Sequence, residues 1–562
     1  MSAPVLAGDR QKQSAAERHR PNPRTAFVLF FGCTALYLAI GLYLALGVHY
    51  FQGDALSRVA DTRSALWSRD PHMAALGFVF TPLPALAQLP FVALSEWFPV
   101  LTRYGLTSVL VTSLAMTGAV VQVHGIAAER PCPRWLRLTV TAAFALHPMV
   151  VYYGGNGMSE AFFLLFVLWS VRRLLRWITT DDVHDLLFAG IAIALAFLTR
   201  YDALAASGTA TLLVLAVSWA RSRSRSVAIL DAIVLAFPTV LAFLAWTATS
   251  WLVTGVAFVQ FSSVSGNTAI LEASGGGSAG GLPALGFSLT EIVGLAPSIG
   301  ILLVVTAVLS AKRRDAEALV LLLPLAVLAF ATLTYFRGMT FPFLRFYICA
   351  IPTVVLCGIL LSPRGGAFSA RRAGEHAVAR PDERPHRQRG LEVLAALLLV
   401  AGIPIGLYAI GEPNLSNEQH ALRSIGPWGS RVGGAEQERE DRAVLATFST
   451  EREIADMLDA KGLPEGSVLL DSMEGFPILA ASRNLGQFVI PSDRDFVQIL
   501  GNPARNGVRY LLTIPNSGRG ATDAINRRYP TVYTNGAGVA TLELEIVNTG
   551  HDRPDWRLQR VL

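Results

Sequence analysis

Asp54, Arg58 and Asp61 stand four and then three residues apart just beyond the first long apolar run, so a helix there would carry all three on one face. A carboxylate at that place could take a proton from an incoming hydroxyl, or bind a divalent cation through oxygen. The plainer alternative is a solvated helix with ion pairs along its own surface. Three further stretches gather charge between apolar segments. HPMVVYYGGNGMSE, residues 147–160, ends in Glu160 at the start of an apolar run, where the helix dipole alone would favour a carboxylate. LTRYDAL, residues 198–204, sets Arg200, Tyr201 and Asp202 between two apolar segments. Charges there are costly unless they pair with one another or face a cavity. FRGMTFPFLRFY, residues 336–347, carries Arg337 and Arg345, and a guanidinium offers a fork of donors that matches phosphate oxygens.

What must position these groups is a membrane. The 562 residues are 52% hydrophobic and only 16% charged, too apolar for a chain of this length to keep a polar surface. A span needs about 20 apolar residues. By that measure the chain reads as a polytopic α-helical protein with about eleven transmembrane helices: 25–48, 103–127, 138–153, 160–177, 184–199, 203–220, 227–256, 289–310, 316–336, 345–362 and 391–410. With the N-terminus cytoplasmic, the inner segments hold 24 Lys and Arg, and the outer loops before residue 411 hold seven. That asymmetry fits one orientation throughout. It also accounts for the net charge of +6 without nucleic acid as a partner. Lys occurs three times against 44 Arg, a bias expected of a GC-rich bacterial genome, so the membrane is expected to be the plasma (inner) membrane. Phe78–Trp97 is apolar too, but as a span it would invert every later loop. Its three prolines, Pro82, Pro84 and Pro90, suit an interfacial or re-entrant helix within the first outer loop, 49–102. Residues 1–24 form a basic cytoplasmic tail before a retained signal anchor, and 363–390 an Arg-rich cytoplasmic linker.

From 411 to 562 the composition becomes that of a soluble α/β domain, placed extracytoplasmic by the count of spans. Thr450-Glu451-Arg452-Glu453 reads as a capping box opening a helix. Strands are expected at 467–471, 487–490, 509–514, 531–534 and 541–547. Asp471, Glu474, Asp493 and Asp495 follow strands, where α/β domains often bind ligands, yet no nucleophile or metal cluster accompanies them. The domain reads as a binding or shaping module over the outer cavity. GGGSAGG at 275–281 lacks the ending of a phosphate loop and is a linker or a lid. His147 reads as a satisfied buried histidine, and the four cysteines have no metal-ligand spacing.

Taken together, an acid just after the first span, a Pro-rich interfacial stretch, the N-G-M-S-E element, the R-Y-D junction and a late outer arginine resemble the GT-C superfamily of membrane glycosyltransferases. The likeness covers about residues 25–410 and is nearest the protein O-mannosyltransferase and aminoarabinose-transferase branch. It implies a transferase that moves a hexosyl or pentosyl group from a polyprenyl-phosphate donor to a hydroxyl of a glycan, lipid or protein acceptor. Asp54 then matches the catalytic acid of the first loop. Arg345, with Arg58 or Arg337, would meet the donor phosphate, while Glu160, Arg200, Tyr201 and Asp202 would line the cavity. Protein mannosyltransferases carry adjacent acids in this loop, whereas Ala55 follows Asp54 here. Whether Asp61 or Glu160 supplies a second carboxylate stays open, as does a divalent cation (Mg or Mn) on Asp54. The rival from another class is a transporter or flippase of lipid-linked glycans. It would show repeats and mid-membrane charges, and the sequence shows neither clearly.

Overall fold

The computed structural model describes residues 23–257, 259, 271, 280–362, 386–416, 419, 422 and 435–562. The 1–22 tail, almost all of the glycine-rich stretch and most of the 363–390 linker lie outside them.

Among the described residues six helices are long and apolar enough to cross a membrane: Pro23–Gly47, Leu106–Ala128, Ala203–Ser222, Arg225–Thr254, Ala316–Phe336 and Gln388–Gly411. A seventh span results if Gly281–Leu295 and Ile299–Arg313, bent by 80°, are counted as one. The other expected segments are helical but not full-length apolar rods. The 138–153 segment is two helices, Arg134–Ala145 and Pro148–Gly155, because Pro148 has no amide to continue the ladder. Glu160–Thr180 is long enough but carries Arg172, Arg173 and Arg176, while Val183–Phe197 and Leu344–Leu360 are short. Close approach is built from glycine. A Cβ on Gly41 would meet the Gly155 carbonyl oxygen at 2.3 Å, so only glycine lets the first helix lie against Pro148–Gly155. Tyr37 locks that contact by donating its hydroxyl to the Ala145 carbonyl at 2.9 Å.

The first loop is itself helical. Gly53–Trp67 runs straight from the end of the first span, and Leu83–Val92, at 10 residues, is far too short to cross. The Leu83 amide donates to the Leu198 carbonyl at 3.0 Å, which ties this loop to the R-Y-D junction.

The C-terminal domain has one five-stranded sheet in the order β2-β1-β3-β5-β4. β1 (Val468–Leu470) pairs in parallel with β2 (Phe488–Val489) and β3 (Tyr510–Thr513). β5 (Trp556–Val561) lies antiparallel between β3 and β4 (Ala540–Ile546). Three local expectations are corrected. Residues 531–534 form no strand: Val532–Asn535 is a helical turn ended by Gly536 at φ 73°. The last strand, β5, escaped the sequence reading because its Arg and Gln interrupt the apolar run, yet they face partners on both sides. The helix Ser449–Ala460 forms, but without the capping box. Thr450 accepts instead from the Thr549 amide, and the Glu451 carboxylate from Asn548 and the Trp556 indole, so the tertiary loop outcompetes the local cap.

The domain is seated on the first-loop helix. Leu56, Val59 and Ala60 belong to the same apolar cluster as Phe448, Phe476 and Leu479. Arg63, 1% exposed, donates to the backbone carbonyls of Leu479, Ala480 and Ser482. Arg69 clasps Asp493 and Asp495, and Arg103 meets both oxygens of Asp456 at 2.7 Å.

Candidate active site

The opposite face of that helix opens on a cavity of about 510 Å³. Gln52 ends the turn out of the membrane in an extended conformation, and Gly53 starts the helix, so Asp54 falls in its first turn. Arg58, one turn on, reaches back to the Asp54 backbone carbonyl at 3.3 Å and lays its guanidinium 4.2 Å from the Phe80 ring centre. It makes no ion pair with the Asp54 carboxylate.

That carboxylate is claimed by a distant partner. Arg345 stands in the 3-10 turn Leu344–Tyr347 and donates an Nη2 hydrogen to Asp54 Oδ2 at 3.0 Å across 291 residues of chain. Its own guanidinium lies over Phe343, 4.6 Å from the ring centre. Arg345 Nε is 3.8 Å from Glu160 Oε1, the same oxygen that Arg200 Nη1 engages. Arg200 completes the set by donating from Nε and Nη2 to Asp202 Oδ2 at 2.9 and 2.8 Å. Carboxylate and guanidinium thus alternate from Asp54 through Arg345, Glu160 and Arg200 to Asp202.

Burial pushes the Asp54 carboxyl up, but Arg345 and Arg58 outweigh it and hold the group below the usual carboxylate range. The Asp54 side chain remains 40% exposed, and it faces the cavity.

Of the residues singled out in the sequence, Asp54, Arg58, Arg200, Tyr201, Asp202 and Arg345 line this cavity. Three do not. Glu160 is fully buried one layer behind it, where it braces two arginines while its Oε2 has no hydrogen-bond partner. Asp61 lies further along the loop helix, beyond the cavity wall, and burial pushes its carboxyl up to about 8. Arg337 caps the helix Leu322–Phe336 with an exposed side chain, because the left-handed Gly338 turns the chain away before Arg345. The Tyr201 hydroxyl accepts from the Trp246 indole at 3.0 Å. His147 is satisfied as expected, accepting from the Met149 amide and meeting the Leu295 carbonyl at 3.1 Å.

No group of three or more His, Cys, Asp or Glu gathers to hold a metal among the described residues. Asp54 and Asp202 each face a guanidinium, so a divalent cation here would have to displace an arginine. This donor set does not fit one.

One lining residue was invisible from local sequence. Arg519 comes from the C-terminal domain, on a 3-10 turn Gly518–Thr522 beyond β3, and adds to the positive field on Asp54. Its signal, a lone Arg in a polar loop, has no periodicity or motif to mark it. The acids flagged in that domain are structural. Asp471 caps the helix Ser472–Ala481, Glu474 pairs with Arg519 and Arg553, and Asp493 and Asp495 hold Arg69.

Residues 105–246 match the family described as dolichyl-phosphate-mannose-protein mannosyltransferase. No curated protein matches the chain in sequence. Among solved structures, ArnT from Cupriavidus metallidurans bound to undecaprenyl phosphate aligns at a TM-score of 0.48 and 15% identity, over 95% of this chain and 97% of that one. The archaeal oligosaccharyltransferase AglB from Archaeoglobus fulgidus, in complex with an inhibitory peptide and a dolichol-phosphate, aligns at 0.40 and 11%, over 87% and 69%. The family match spans both Asn156–Glu160 and Arg200–Asp202, and so includes Glu160, which lies 3.8 Å from Arg345.

Proposed function

We propose that the chain is a membrane glycosyltransferase that moves a sugar from a polyprenyl-phosphate donor to an acceptor hydroxyl on the extracytoplasmic face, with inversion. The observation that carries this is the Asp54–Arg345 contact of 3.0 Å inside one cavity. A base and an anion ligand have to act on one sugar within contact reach, and here they touch.

The pair also explains how the base is kept in check. While Arg345 holds Asp54, the carboxylate is a poor base. The donor phosphodiester offers Arg345 an anion whose two free oxygens match the guanidinium fork, and its arrival frees Asp54 to accept a proton. The acceptor oxygen then attacks the anomeric carbon as its proton passes to Asp54. The bond from that carbon to the phosphate oxygen breaks, and the polyprenyl phosphate leaves with its added negative charge stabilised by Arg345. Arg58 stays beside Asp54 through the exchange and keeps it from binding a proton too early.

A lipid donor needs an apolar surface for its tail, and the membrane helices offer one. An apolar groove of about 560 Å³ runs between the bent helix pair and Leu322–Phe336, lined by residues such as Leu285, Ile292, Leu303 and Phe336. The helix Leu322–Phe336 also gives Ala331 and Thr334, from another of its faces, to the cavity, so a polyprenyl tail in the groove would have to pass around this helix to bring its phosphate to Arg345. The decisive assay incubates membranes with a radiolabelled polyprenyl-phosphate sugar. Wild-type protein should release polyprenyl phosphate and Asp54→Asn should not; equal transfer by both would remove Asp54 from the role.

A further inference from the structure

The cavity wall carries more positive charge than the Asp54–Arg345 pair requires. Arg58, Arg200, Arg345 and Arg519 line it against only Asp54 and Asp202. Glu160, from behind, leaves the wall itself one positive charge in excess. The arginine whose counter-charge lies off the wall is Arg519, and it differs from the others in origin and in state. Arg345 approaches Asp54 from the membrane helices, whereas Arg519 approaches from the C-terminal domain. Asp54 begins the helix seated between the two. Arg519 Nε contacts Glu474 Oε1 at 2.9 Å, a carboxylate already shared with Arg553. Its terminal amino groups have no protein partner among the described residues, and its side chain is 44% exposed.

The turn that presents it is rigid. The Ala524 amide donates to Asp471 Oδ2 at 2.7 Å, Asn526 donates to the Gly520 carbonyl at 2.9 Å, and Thr522 meets the Met473 sulfur at 3.0 Å. A Cβ on Gly520 would strike the Pro515 carbonyl oxygen at 2.1 Å, so the turn has one compact shape. Such preorganisation is what a binding arginine needs, since little freedom is lost when the ligand arrives.

We propose that Arg519 is the anion ligand of the acceptor subsite: the C-terminal domain uses it to hold an oxyanion, phosphate or carboxylate, borne by the acceptor, while Arg345 holds the donor. This rests on the transferase reading and adds that the acceptor is anionic. Glu474 occupies Arg519 until the acceptor displaces it.

The test uses full-length protein in detergent, first saturated with undecaprenyl phosphate so that Arg345 is filled, then titrated with inorganic phosphate or succinate. Arg519→Ala should weaken binding of one of these by roughly tenfold or more, the loss expected for a charge-assisted fork, and leave undecaprenyl phosphate affinity unchanged. Arg345→Ala should do the reverse. Glu474→Gln should tighten the anion several-fold, a gain that a damaged fold would not give; Arg519→Lys should retain part of the binding. Whether phosphate or succinate shows the effect identifies the acceptor's anion. Equal anion affinity in wild type and Arg519→Ala overturns the proposal, as does an equal loss of undecaprenyl phosphate in Arg519→Ala and Arg345→Ala. Wild-type protein that binds no undecaprenyl phosphate would instead sink the transferase reading.

Discussion

The two faces of the helix Gly53–Trp67 use arginine in opposite ways. On the domain side, Arg63 is 1% exposed and directs one terminal nitrogen, Nη1, at three backbone carbonyls. On the cavity side, Arg58 rests on the Phe80 ring with one long contact to a carbonyl, beside an Asp54 that stays open to the cavity. The first arrangement is sealed between the helix and the domain, so it can only hold; the second lines the cavity, so a ligand can change it. One helix therefore fixes the C-terminal domain and exposes the Asp54 carboxylate, and what each arginine faces, the domain or the cavity, separates the two tasks.

The largest expected effect breaks the cavity face alone. Asp54→Asn should lower transfer by about two to four orders of magnitude, the usual worth of a general base, while leaving the melting temperature within a degree or two, as roughly expected for a partly exposed group. Measuring rate and melting on the same preparation checks both. Next comes the domain face. Arg63→Met should strip three buried carbonyls of their donor, at about 1–3 kcal/mol for a buried polar group left unsatisfied. The result to seek is faster proteolysis of the C-terminal domain with donor affinity retained. If donor binding fell in step with domain loosening, the two faces would not be separable.

A third effect depends on pH. Asp61 has a folded value of about 8, above its ordinary 3.8, and burial is the main cause. A carboxyl raised on folding contributes stability that is fully present below its unfolded value and is lost as pH rises through the folded value. Wild-type protein should therefore lose melting temperature between roughly pH 4 and pH 8. Asp61→Asn should flatten that decline, and an unchanged slope would place the buried charge elsewhere. The smallest effect is the control. Arg337→Ala, at an exposed helix end outside the cavity, should alter stability by no more than about 0.5 kcal/mol and leave the rate unchanged.

The helical layout was legible because apolar runs and their flanking arginines obey one-dimensional rules. Even so, span lengths were overread where Pro148 splits a run and where a helix bends by 80° between Leu295 and Ile299. Of the charged candidates, Arg200–Asp202 is readable as a local pair, since only Tyr201 separates its members. The Asp54–Arg58–Asp61 face was half right. Helical spacing set Asp54 and Arg58 together, but Arg345 offered the carboxylate a closer partner, and Asp61 was left past the cavity.

The sequence by itself determined which charges stand at the ends of apolar segments, because leaving a charge within hydrocarbon is too costly to be accidental. That was enough to pick out Asp54, Arg200 and Arg345. Only the tertiary structure decided how they pair, put Glu160 behind the wall, turned Arg337 outward and brought Arg519 from the far end of the chain to the cavity. Pairing depends on distances of 3 to 4 Å between residues up to hundreds of positions apart, and no periodicity along a chain encodes a contact across it.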